Sequence, residues 1–212
     1  MLHWNTVSDE LRNVLLKLML SAEFDKFRLV GGTALSLHLG HRISVDIDLF
    51  TDATYRSIDF DSIDSYLRNS FEYVAGDFGG NAGMGKSYLI GDSADRGIKL
   101  DVYYSMDPFF QDAIELDQIR LATIEEIIAM KIDVVQRGGR KKDFWDLHEL
   151  LPQYNVAAMI DLHRQRFEWT HDPKLILENF TNFQGADQDF DPICLRDKEW
   201  IFIKEDLEQA VG

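Results

Sequence analysis

Two aspartates, Asp46 and Asp48, lie two residues apart in the segment ISVDIDLF. The segment alternates strictly: Val45, Ile47 and Leu49 share one face and the two acids the other, which is the pattern of a β-strand. Carboxylates at i and i+2 on a strand converge on one region of space, where their repulsion is costly unless a divalent cation neutralises it. A third acid, Asp101, occurs in GIKLDVYY, where Ile98, Leu100 and Val102 take the opposite face. If the two strands pair, three acids meet at one edge of a sheet. That is the donor set of a two-metal site, in which one ion activates an acceptor hydroxyl and the other holds a triphosphate and its leaving pyrophosphate. Taken singly, each acid reads equally well as a solvated carboxylate in an acidic chain.

Phosphate chemistry also needs donors, and two glycine motifs compete to supply them. The string GNAGMGKS, residues 80–87, satisfies G-x-x-x-x-G-K-[ST]. That motif works only when a strand enters the loop and a helix leaves it, because the helix N-terminus brings the amides and the positive dipole end. Between Ser87 and Gly91 lie only Tyr88, Leu89 and Ile90, too few for a helix, so the string is expected to be a glycine-rich turn connecting strands. Gly31-Gly32-Thr33 has the right context. It follows the predicted strand KFRLV and opens the predicted helix TALSLHL, which Gly40 stops.

Further along, Ile124, Ile127, Ile128 and Val135 form a helical stripe in which Lys131 occupies a position expected to be apolar. Such a lysine either snorkels out of the core or points into a cleft. Asp143 and Asp146 share a face of the next helix, where they could position Lys131 or Arg137, assist an acceptor hydroxyl, or pair at the surface with Lys142. Arg137, Arg140, Lys141 and Lys142 form the one dense basic cluster. His38 and His41 are expected to cap or pack, and Phe144, Trp145, Trp169, Phe180 and Phe183 to fill a helical core.

The elements that must carry these residues divide in two. A first helix buries Val7, Leu11, Val14, Leu15, Leu18 and Met19; DFDSIDSYLRN is a further helix; FEYVAGDF, KSYLIGD and GIKLDVYY are strands of a tightly turned meander. After Pro108 the texture becomes helical, with Thr123-Ile124-Glu125-Glu126 as a capping box, a helix in KKDFWDLHELL and a last one in WIFIKEDLEQAV. The expected architecture is an α/β part over residues 1–110 followed by a helical C-terminal part over residues 111–212. The 212 residues carry a formal charge of −15, which opposes nonspecific binding to nucleic acid and requires any such partner to be met by a local basic patch or through metal. A single Cys194 forms no intrachain disulfide, and VLLKLML, broken by Lys17, is no membrane span. A cytoplasmic protein without membrane partners is expected.

The segment LVGGTALSLHLGHRISVDIDLF, residues 29–50, resembles the signature of the AbiEii/AbiGii toxin family of nucleotidyltransferases, within the DNA polymerase β-like superfamily. AMKIDVVQRGGRKKDFWDLHEL is similar to the family's second signature, a helix lysine followed by a basic turn and K-D-x-x-D-L. The resemblance implies an α/β (α+β) nucleotidyltransferase fold with a mixed sheet and a helical C-terminal domain. It implies Mg2+ (or Mn2+) held by Asp46 and Asp48, with Asp101 as the third acid. Gly31, Gly32 and Thr33 would hold the triphosphate of an NTP, Arg42 and Ser44 would line the same pocket, and Lys131 would be a triphosphate ligand. The implied reaction is attack of an acceptor hydroxyl on the α-phosphate; in toxin members of a type IV toxin-antitoxin system the acceptor is an RNA, notably tRNA, and a cognate antitoxin is encoded nearby. The alternatives are a small-molecule or protein acceptor, which the acidic charge favours, a non-catalytic nucleotide-binding module and, most distantly, a P-loop ATPase.

Overall fold

A computed structural model describes residues 1–76, 78 and 82–212. Helix α1, Asp9–Met19, is capped by Ser8, whose hydroxyl accepts from the Leu11 amide, and it buries Leu11, Val14, Leu15, Leu18 and Met19 as the spacing predicts; Val7 is buried as well but stands before the cap in extended backbone and not on the helix. Strand β1 is only Arg28–Leu29, and it leads directly into α2, Gly31–Leu39, which ends on Gly40 in the left-handed conformation at φ 69°. Strand β2, Asp46–Thr51, alternates half-buried and buried positions. Helix α3, Phe60–Ser70, is capped by Asp59. Strands β3, Tyr73–Gly76, and β4, Gly85–Gly91, pair antiparallel, and β5, Ile98–Tyr104, pairs antiparallel with β4.

Gly80 and Asn81 of GNAGMGKS lie outside the described residues; Gly85, Lys86 and Ser87 begin β4. The connection leads into β4, which lies beside β5, the strand that carries Asp101. Lys86 is buried and its Nζ lies 2.7 Å from Asp64 Oδ2, while the Tyr88 hydroxyl donates to Asp64 Oδ1 at 2.6 Å. A lysine committed to a closed ion pair between α3 and β4 is no phosphate ligand.

Beyond residue 110 the chain adds β6, Ile114–Leu116, and β7, Ile119–Leu121, before turning helical. The sheet runs β3-β4-β5-β2-β1-β7-β6 and is mixed, with β2 parallel to β5, β1 parallel to β7 and the other pairs antiparallel. Two strands on the helical side of the division expected at residue 110 thus complete the sheet, and the change to helix follows β7. Helix α4, Ile124–Gln136, packs against α2, α5 (Lys141–Leu150), α6 (Val156–Arg166) and α7 (Pro173–Phe180); α8, Trp200–Val211, closes on α5 and α7.

The capping box at Thr123 is half made. Its hydroxyl accepts from the Glu126 amide, but the fully buried Glu126 carboxylate turns to the Gln111 amide, 2.8 Å away, and to Arg166. Phe144, Trp145, Phe180 and Phe183 fill the helical core as expected; Trp169, in the turn after α6, is 89% exposed because no element covers that turn.

Candidate functional site

Strands β2 and β5 pair in a register that sets Asp48 opposite Asp101, and β4 sets Ser87 opposite Asp101 on the other side. One row across three strands therefore reads Ser87, Asp101, Asp48. The acids stand in the middle of the sheet and not at an edge, since β2 and β5 are interior strands. Burial, then Asp101 and Asp46, hold the Asp48 carboxyl above the usual carboxylate range. Asp101 Oδ1 accepts from the Ser87 hydroxyl at 2.6 Å and Oδ2 from Lys99; Asp46 Oδ2 lies 3.8 Å from Lys142 Nζ. Among the described residues no three His, Cys, Asp or Glu groups already form a metal-binding cluster. The donor set nevertheless suits a hard divalent cation: all three groups supply oxygen, and Asp48 is short of counter-charge.

Helix α2 begins beside this row. Its N-cap, Val30, offers no side-chain oxygen, so the amides of its first turn lack a capping partner of that kind. Gly31 adopts φ 69°, and a Cβ there would sit 2.7 Å from Asp48 Oδ2; a Cβ on Gly32 would sit 2.5 Å from an Arg42 Nη2 nitrogen. Both glycines are needed for the helix end to approach the acid and the guanidinium so closely. Thr33 and Ser44 lie deeper, their hydroxyls 2.8 Å apart, with Thr33 also donating to the Asp46 carbonyl. They tie α2 to β2 from inside.

Behind the glycines, Asp146 gathers three cationic or polar groups from two segments, the His41-Arg42 turn and α4. Arg42 donates through Nε at 2.6 Å and Nη2 at 2.8 Å, His41 Nε2 lies at 2.8 Å, and Lys131 Nζ lies at 2.7 Å. Lys131 Nζ also lies 2.6 Å from Asp143 Oδ1, and Asp143 Oδ2 accepts from the Arg140 amide at 3.1 Å. Neither acid is a surface group; both are fully buried. Burial raises the Asp146 carboxyl, but Lys131 and Arg42 outweigh it and hold it well below the usual range; Asp143 is lowered in the same way by Lys131. Burial likewise works against the Lys131 ammonium, yet Asp146 and Asp143 leave it above its ordinary value. The lysine stays charged in a dry setting and is held in one orientation.

These groups face a cleft of about 400 Å³ between the sheet and α4 to α6. Gly31, Gly32, Asp48, Lys131, Asp143 and Arg137 line it; Thr33, Arg42, Ser44 and Asp146 act from behind, and Asp46 and Asp101 stand outside its lining. Arg137 bonds Asp133 at 2.5 Å and remains largely exposed. Lys142 lines the cleft too, its ammonium lowered by burial and by the neighbouring Arg140 and Lys131. Lys141 leaves the basic cluster, because it is buried with Nζ on the Asp189 carbonyl and Asp191. Arg166, Asp133 and Phe167 are lining residues that sequence spacing alone does not single out. For Arg166 and Asp133 the local signal is a polar residue placed on an otherwise core-facing helix; Phe167 carries none.

The sheet order, the acid row and the glycine helix end together define a nucleotidyltransferase fold. JHP933 from Helicobacter pylori superposes with a TM-score of 0.62 at 19% identity, covering 99% of this chain and 90% of that one. MenT4, a nucleotidyltransferase toxin from Mycobacterium tuberculosis H37Rv, superposes with a TM-score of 0.58 at 13% identity over 93% of this chain and 78% of its own. A protein of Aquifex aeolicus (strain VF5) is 27% identical over 187 residues, 84% of this chain and 83% of that protein. The model of the family described as nucleotidyl transferase AbiEii toxin, type IV TA system, matches residues 13–211, and the chain belongs to that family.

Proposed function

We propose that this nucleotidyltransferase moves a nucleoside monophosphate from an NTP to an acceptor hydroxyl, with RNA, notably tRNA, as the acceptor, and that it acts as a toxin controlled by a cognate antitoxin. The observation that carries the transfer chemistry is the convergence on one cleft of an α-helix N-terminus, Asp48 and an immobilised Lys131. The amides of Gly31 and Gly32 and the positive end of α2 suit the triphosphate. Lys131, oriented by Asp143 and Asp146, neutralises charge as it grows on the leaving pyrophosphate. Asp46, Asp48 and Asp101 would hold Mg2+ (or Mn2+), and that ion supplies Lewis-acid polarisation of the phosphate and activation of the acceptor hydroxyl. In this reading Asp101 Oδ1, which accepts from the Ser87 hydroxyl, would also take the proton of the incoming hydroxyl. Arg137 and Arg140, both largely exposed, and Lys142 give the rim positive charge in a chain of −15.

Incubation with Mg2+, each α-labelled NTP and total tRNA tests the proposal: labelled tRNA is expected, and none with Asp46→Ala combined with Asp48→Ala. Label appearing equally with that double variant would overturn it. A small-molecule or protein acceptor is the second reading, favoured by the acidic charge. Rising salt separates the two, because RNA labelling weakens steeply and labelling of a small acceptor hardly changes.

A further inference from the structure

Ser87, the last residue of GNAGMGKS, is brought to the acid row by the sheet and not by a phosphate loop. Its direct partner across the ladder is Asp101, and its hydroxyl donates to Asp101 Oδ1 at 2.6 Å. The Tyr103 hydroxyl lies 3.0 Å from Ser87 Oγ. A serine hydroxyl carries one hydrogen and Asp101 takes it, so Tyr103 is the donor in the second contact. The three groups form one directed chain, Tyr103 to Ser87 to Asp101, in which each bond polarises the next. The chain depends on where the tyrosine ring lies. Tyr103 is paired with Gly85, and Ser87 is its diagonal neighbour, a separation that an aromatic side chain can bridge. A Cβ on Gly85 would sit 2.6 Å from Cγ and Cδ1 of that ring, so the absence of a side chain there lets the ring lie across β4 with its hydroxyl at Ser87. On the other side Phe50 of β2 stands opposite Tyr103, their ring centroids 6.1 Å apart.

The two oxygens of Asp101 keep different company. Oδ1 is engaged by a neutral hydroxyl, which fixes the plane of the carboxylate and leaves its charge uncancelled. Oδ2 meets the Lys99 ammonium, whose side chain is 53% exposed and can turn out to solvent. Resting on the metal reading above, we propose that Ser87 and Tyr103 are positioning residues: the hydroxyl pair holds Asp101 by Oδ1 and so reserves Oδ2 for the divalent ion, which displaces the Lys99 ammonium. Ligating carboxylates are commonly oriented in this way by a hydrogen bond to the oxygen that does not face the metal. Ser87 then acts through Asp101, and Tyr103 through Ser87.

The test is a titration of the full chain with Mn2+ alone, the free ion being followed by its paramagnetic resonance signal. Ser87→Ala should weaken Mn2+ binding about tenfold, and Ser87→Thr, which restores the hydroxyl on a strand-compatible residue, should recover the affinity to within about twofold. Tyr103→Phe should weaken it about threefold, and the double variant should bind no worse than Ser87→Ala alone, because the tyrosine acts only through the serine. Lys99→Met removes the competing cation and should shift the affinity the other way, towards tighter binding. Ser87 is exposed, so without metal Ser87→Ala should melt within about 2 °C of the wild type. Ser87→Ala binding Mn2+ as tightly as the wild type, or additive losses in the double variant, overturns the hydroxyl pair and leaves the three-acid site standing. Weaker binding by Lys99→Met overturns the displacement. A wild type that takes up no Mn2+ overturns the metal reading and this inference with it.

Discussion

The chain buries two lysines to the same depth, Lys86 and Lys131, each 5% exposed and each within 2.7 Å of a carboxylate. Lys86 belongs to the louder motif, yet it is sealed between α3 and β4 with Asp64 and a tyrosine hydroxyl that already satisfies the second carboxylate oxygen. Lys131 sits in an apolar helix stripe, in the segment that resembles the family's second signature, and it lines the cleft. The difference lies in what surrounds the ion pair. A lysine with one carboxylate and no opening is a structural bridge; one held by two carboxylates at the wall of a cleft is where the proposed function puts a ligand's charge.

That distinction makes graded predictions. Lys131→Met should lower transfer by about a hundredfold or more, the scale seen when one preorganised charge or donor is removed from a transition state. Lys86→Met should leave transfer within about twofold, since the residue is remote from the cleft, while lowering the melting temperature. Equal losses of activity would abolish the distinction between the two sites. Asp146→Asn strips the shared counter-charge from Arg42 and Lys131, and breaking such a buried pair costs about 3–5 kcal/mol of stability, readable by denaturant titration. Gly32→Ala drives a methyl into Arg42 Nη2 and should weaken tripolyphosphate binding about tenfold. Gly185→Ala, with nothing within 4 Å of the new carbon, should leave that binding unchanged.

The smallest effect concerns acidity. Asp48 is raised in the folded state, so the fold holds its proton more tightly than the unfolded chain does between the ordinary value of 3.8 and the raised one. Stability from this group is therefore greatest below 3.8 and falls as pH rises through that window. Asp146 and Asp143 have the opposite sign: their contribution is complete above 3.8 and is lost as pH falls through their lowered values. At neutral pH without divalent metal, Asp48→Asn should therefore raise the melting temperature, by about 2–4 °C for each kcal/mol relieved, and the gain should vanish near pH 3.5. A lower melting temperature in the variant at neutral pH would contradict the crowding of the three acids.

Much of this frame is legible in the chain itself where local pattern and tertiary role agree. The alternation of residues 45–49 places Asp46 and Asp48 together, and Gly31-Gly32 next to a strand marks a helix end that must approach something closely. The β6-β7 hairpin escapes notice because its turn is Asp117-Gln118, both at positive φ (51° and 68°), in place of the Asn-Gly or Asp-Gly that usually announces such a turn. Arg166 escapes because its partners, Glu126 and Ser105, are 40 and 61 residues away. Glu126 itself reads locally as half of a capping box, and only the packed structure diverts its carboxylate to the loop before β6. Lys141 joins a basic run in sequence, but its helix position turns it inward to Asp191. In each case a long-range partner overrides the local signal.

Asp146 sits 104 residues after Arg42 and 15 after Lys131 along the chain. A nascent chain that ends near β5 already has the glycine turn and all three sheet acids, but neither the lysine nor the carboxylate that aims it. Arg42 is then an unclamped cation beside Gly32. On the proposed function, competence at the glycine end thus waits for the second half of the chain to be made and docked, and a chain that stops near β5 carries the three acids without the charge proposed to work beside them.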